Sequence, residues 1–182
     1  MSSNLIWTLV ALAMTFIMLF ANRKARVYSV FLEQLRVFKN AKTNKYSLWD
    51  IICFILLPIG LATVIVFALQ TTISDDLAGV LTTIFSLVFT LLFGFSAILV
   101  GRIESQNKIE KQVVKETFVS IITATLLSLL SAILSIIIIG ICNASILSAL
   151  SLIVLATSFM NVMLLLLIIK RTHIIYSESK DN

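Results

Sequence analysis

Residues 118–142 read FVSIITATLLSLLSAILSIIIIGIC and, after Asn143-Ala144, residues 145–169 read SILSALSLIVLATSFMNVMLLLLII. Neither stretch contains a charge. A helix of about 20 residues crosses a ~30 Å hydrocarbon core at 1.5 Å per residue. In lipid every backbone polar group needs an internal partner, which an unbroken apolar run supplies only as a helix. The pair is therefore a transmembrane hairpin closed by Asn143-Ala144. Scanning outward from it finds three more runs of the same kind, Leu77–Val100, Leu48–Leu69 and Leu5–Ala21. The reading is an all-α polytopic membrane protein, a single helical domain over residues 1–182 with spans at about 5–21, 48–69, 77–100, 118–142 and 145–169. Composition agrees. Hydrophobic residues make up 59% and charged residues 13%, against roughly 45–50% and 25% in soluble domains. A soluble enzyme, a disordered chain and a disulfide scaffold are excluded.

The basic residues set the orientation. Arg23, Lys24, Arg26, Arg36, Lys39, Lys42 and Lys45 lie between spans one and two; Arg102, Lys108, Lys111 and Lys115 between spans three and four; Lys170, Arg171 and Lys180 after span five. Five crossings put all of them on one side, which the positive-inside rule makes the cytoplasm. The N-terminus is then outside and the C-terminus inside. Span one is the shortest. It lacks a basic segment before it, so it reads as an N-out signal anchor, with an interfacial helix as the alternative. Ser47 reads as the N-cap of span two, with Asp50 in its first turn near the positive end of the helix dipole.

Little chain is left outside the bilayer, and no segment of it is long enough for a catalytic domain. The basic segment 22–47 is the largest. Tyr28, Phe31, Leu35 and Phe38 share one face of a helix expected to continue from span one to about Asn40. Such a helix can lie on anionic lipids. It can also dock a soluble partner, with Tyr28, Phe31, Leu35 and Phe38 as anchors and Arg36 and Lys39 at the rim. Direct nucleic-acid binding is the weakest reading, because topology already explains the charge. Gly101–Thr117 reads as a helical hairpin tip in which Glu104 and Lys108 can pair.

Within the spans, small and weakly polar residues form stripes. Gly79, Thr83, Ser86, Thr90, Gly94, Ala97 and Gly101 share one face of span three. Thr117, Ala124, Ser128, Ser131, Ser135 and Cys142 share one face of span four, and Ala144, Ser148, Ser151 and Ser158 one face of span five. Helices in lipid associate through close packing of small residues and Ser/Thr hydrogen bonds, so these faces are expected to be contacts within or between subunits. A pore lining is the competing reading, without the rings of charge that confer selectivity. Asn161 is expected to hydrogen-bond between helices, and Pro58 to kink span two. Cys53 and Cys142 lie near opposite leaflets, too far apart for a disulfide. His173 stands alone, and no nucleotide, metal or catalytic motif is present. The expectation is a non-enzyme without cofactor or metal.

The layout of a short N-out span, the basic segment NRKARVYSVFLEQLRVFKNAKTNKYSLWDII over residues 22–52 and then apolar spans with almost nothing outside resembles the small membrane subunits of bacterial anti-phage systems, most nearly that of the Kiwa system. The resemblance implies a homo-oligomer of the bacterial inner membrane, a tetramer by preference, that senses phage-related disturbance and recruits a cytosolic DNA-binding partner. The alternatives are a pore-forming effector that depolarises the cell and an accessory subunit of a larger membrane complex.

Overall fold

The computed structural model describes residues 3–20, 27–38, 47–100, 108–141 and 143–178. These form six helices: α1 (Ser3–Phe20), α2 (Val27–Val37), α3 (Leu48–Ala68), α4 (Asp75–Val100), α5 (Lys108–Ile138) and α6 (Ala144–Glu178), with no strand among the described residues. The protein is all-α. Helices α3 to α6 are long and apolar enough to cross a membrane, while α1 supplies a shorter apolar helix, Ile6–Met18. Helices α5 and α6 extend the fourth and fifth runs well beyond their apolar stretches on the basic side. Gly101, Glu104 and Cys142 lie outside the described residues, as do Lys39 and the junction between α1 and α2.

Local chemistry sets the helix starts. The Ser47 hydroxyl accepts from the Asp50 amide at 3.4 Å, capping α3 as its sequence indicated. The Ser74 hydroxyl accepts from the Leu77 amide at 3.3 Å ahead of α4, whose first turn carries Asp75 and Asp76. Asn143 Oδ1 accepts from the amides of Ser145 and Ile146 at 3.1 and 3.2 Å, capping α6. Each cap satisfies amides that have no partner inside the helix. Pro58, which has no N–H to give, sits in the first turn of a regular α-helical stretch, Leu57–Thr63. Wider π-helical turns flank that stretch at Ile52–Leu56 and Val64–Ala68. The expected disturbance around Pro58 takes this form, since a wider turn accommodates the missing bond and the ring.

Helix α5 is the centre of the bundle. In its apolar window 56% of residues are buried, against 17% in α3 and α4 and 33% in α6. Helix α4 meets α5 along Ala78, Phe85, Leu92 and Leu99, one residue in seven, the spacing of a left-handed helix seam. The core is divided in two along the bundle axis. At the basic end Leu92, Leu99, Val114, Ile121, Ala124, Leu127, Leu164 and Ile168 pack together. At the opposite end the cluster is Ile73, Ala78, Phe85, Ala132, Leu134, Ile138, Leu150 and Val154, against which Leu12 of α1 also packs. That end is tied down by its loops. The buried Ile73 amide donates to Ser151 Oγ at 3.0 Å, and the Gly140 amide donates to Asp75 Oδ1 at 3.4 Å. Gly140 has φ +84°, in the left-handed region that favours glycine and ends α5.

Candidate functional site

Between the two apolar clusters lies a layer of polar side chains shared by α5 and α6. Ser131 and Thr157 hydroxyls are 2.8 Å apart. The Asn161 amide is oriented with Oδ1 accepting from Ser128 Oγ at 2.8 Å and Nδ2 donating to the Ala124 carbonyl at 3.0 Å. Ser128 and Ser131 are fully buried and Asn161 is nearly so. Three other buried hydroxyls of α5 turn back on their own helix: Thr117 bonds the Val113 carbonyl, Ser120 that of Glu116, and Thr123 that of Val119. Hydroxyls that cap backbone carbonyls in this way can be buried without a partner helix. Ser135 Oγ is buried with no partner among the described residues. The layer carries no charge. What it does chemically is fix the register of α5 against α6, because a slip of one turn would strand an amide in an apolar medium.

The stripes thus divide. Ser128, Ser131, Ser135 and Asn161 are spent inside the subunit. On α4 the stripe looks away from α5: Thr83, Ser86, Thr90 and Gly94 are exposed and Gly79 is half-buried. A Cβ built on Gly79 or Gly94 would meet nothing within 4 Å. The spacing that put these residues on one face could not say which way the face turned.

The basic end brings separate segments together. Arg171 of α6 pairs with Glu116 of α5, Nη2 to Oε2, at 3.2 Å. Gln112 donates from Nε2 to Glu116 Oε1 at 3.0 Å. Asp50, at the start of α3, adds to the field on Arg171. Below them Glu33, Arg36 and Val37 of α2 and Gln112, Lys115, Glu116 and Val119 of α5 enclose a charged recess of about 310 Å³. Helix α2 lies across α5 here. Phe38, the residue that follows α2, is 6% exposed and meets Phe54 of α3 with ring centroids 5.1 Å apart. Phe31 packs against the basic-end cluster and Leu35 is half-buried. Of the anchors read from the sequence, Tyr28 stands free at 68% exposure, and the rim residue Arg36 is exposed. The apolar periodicity of α2 therefore serves internal packing first. Sequence reasoning missed Glu116 and Gln34. Glu116 gave a signal as the acid nearest the start of an apolar run, whereas its partner Arg171 is 55 residues away and only the fold joins them.

The pair has a measurable worth. Hydrogen bonds to charged groups contribute about 1.5–3 kcal/mol, less where water reaches them. Arg171 and Glu116 side chains are 15% and 32% exposed. Arg171→Ala should cost about 2 kcal/mol, and a double-mutant cycle with Glu116→Gln should give about 1 kcal/mol of coupling. Unfolding in detergent at low and high salt measures both, and zero coupling would refute the pairing.

Among the described residues no group of three or more His, Cys, Asp or Glu could hold a metal. His173 is exposed. No protein-family model, no curated protein and no solved structure matches this chain. The arrangement is that of a multi-pass membrane protein, with a neutral polar layer in mid-bundle and a charged platform at one end.

Proposed function

We propose that the chain is a non-enzymatic scaffold and sensor in the bacterial inner membrane that assembles with copies of itself and passes a signal to a cytosolic partner. The resemblance noted from the sequence supplies the setting, anti-phage defence with a DNA-binding partner. The observation that favours an output role is the platform at the basic end. There Arg171 of α6 pairs with Glu116 of α5, and α2 borders the same recess, with Arg36 at its exposed edge beside Lys115 and Glu116. A shift between α5 and α6 in the membrane would be felt at once by α2, which rests on α5. The output face is the outer side of α2, with Tyr28, Leu32 and Arg36, rather than the inward face of Phe31 and Phe38. Aromatic and arginine side chains commonly dominate partner interfaces. The outward small-residue face of α4 is the natural meeting surface for copies. A pore finds less support, since Ser128, Ser131 and Ser135 on α5 are all buried inside the subunit and the first two are bonded to α6.

Co-purification of the full chain with the cytosolic protein encoded beside it tests the output role. Tyr28→Ala combined with Arg36→Gln should lower capture at least tenfold and leave detergent melting unchanged. Undiminished capture by this variant removes α2 as the output face. Spontaneous ion leakage from liposomes carrying the chain alone would favour the pore instead.

A further inference from the structure

Above α2, on the side away from the charged recess, is a second cavity of about 240 Å³. Its walls are apolar and come from four elements: Phe31 and Leu35 of α2, Phe54 of α3, Leu127 of α5, and Met160 and Leu164 of α6. Several of these are only half-buried, so the cavity opens at the flank of the bundle, between apolar helices that face lipid. One polar side chain stands out in it. Gln34 is 5% exposed, lines the cavity, and has no hydrogen-bond partner for Nε2 or for Oε1 among the described residues. Thr123, the other polar residue there, already donates to the Val119 carbonyl at 2.9 Å. A buried amide with both ends unmet is costly and calls for a ligand that supplies an acceptor and a donor side by side.

We infer that this cavity binds the head and upper chain of a single-chain membrane amphiphile, with Gln34 pairing with its carboxylic acid or hydroxyl ester. Gln34 Nε2 donates to the carbonyl of the head, and the acid or alcohol O–H of the head donates to Gln34 Oε1. A carboxyl here stays in its acid form, because an apolar site disfavours the carboxylate. At roughly 30 Å³ per heavy-atom group, about eight groups fill the space, so the rest of the chain runs out into the bilayer. The occupant holds α2 to α3, α5 and α6 together. This inference does not depend on a defence role or on any protein partner.

Native mass spectrometry of the full chain in mild detergent, supplied in turn with palmitic acid, monopalmitoylglycerol and methyl palmitate, tests it. The expected result is a one-to-one adduct with the acid, the glycerol ester or both; which of them binds identifies the source of the shared chemistry. Methyl palmitate, which cannot donate, should bind at least tenfold less. Gln34→Leu should lower occupancy at least tenfold while melting as high as the unaltered chain or higher, since it removes the unmet amide. Met160→Phe should lower occupancy by filling the cavity, and decides the matter if Gln34→Leu folds poorly. Absence of a one-to-one adduct with both donors overturns the inference, as does equal binding of the methyl ester or occupancy unchanged in both variants.

Discussion

Phe38→Ala should release α2 from the bundle. The ring is 6% exposed and wedged against Phe54, and the Phe38 carbonyl accepts from the Ser47 amide at 3.0 Å, closing the connection to α3. Truncating a buried phenylalanine costs about 3–5 kcal/mol in soluble cores. Near the membrane surface part of the loss is recovered by lipid contact, so about 3 kcal/mol is the expected cost. It should appear as a lower melting temperature in detergent and as faster hydrogen exchange confined to α2. Tyr28→Ala, at a side chain 68% exposed, should stay within about 0.5 kcal/mol of the unaltered chain. If Phe38→Ala melts with the unaltered chain, α2 is not seated by its aromatic face. The contrast also guards the partner experiment. A loss of capture in Phe38→Ala reports a displaced helix, while a loss in the Tyr28 and Arg36 variant reports the outer surface.

Leucine introduced at Ser131 and at Gly94 should have opposite consequences. Ser131 is fully buried and 2.8 Å from Thr157 in the polar layer. A leucine there overpacks the α5–α6 contact and costs about 2–3 kcal/mol, whether or not copies of the chain associate. Gly94 is on the outer face of α4, with no atom within 4 Å of an added Cβ. A leucine there should leave the isolated subunit as stable as before or slightly more so, since leucine favours the helix. If copies meet through α4, the same change should dissociate them. Melting and size in detergent, measured on both variants, separate subunit packing from assembly. A stable Ser131→Leu would mean that the layer is not packed as described. A Gly94→Leu that keeps its assembled size would move the self-contact off α4.

The sequence was most informative where a single physical requirement acts along the chain. Apolar length alone places α3, α4, α5 and α6, because backbone groups in lipid have no alternative to the helix. Ser47 marks the start of α3 in the sequence because a cap is a local bond, made within three residues; the structure adds Ser74 and Asn143, which cap α4 and α6 in the same way. The outcome at Pro58 was half legible: a missing N–H must disturb the ladder, but the sequence does not say that the disturbance takes the form of π-turns on both sides of Leu57–Thr63. Facing was not legible. Gly94 on α4 and Ser131 on α5 carry the same signature of small residues at helical spacing, yet one looks outward and the other is enclosed. Periodicity defines a face, and only the neighbours decide what it meets. For the same reason the aromatic face of α2 could be recognised but not its occupant, which is the bundle itself. The pairs Arg171–Glu116, Asn161–Ser128 and Ser131–Thr157 join residues far apart in the chain, and nothing in the local pattern selects them. They exist because α5 runs antiparallel to α6 at one register, and that register is a property of the packed helices together.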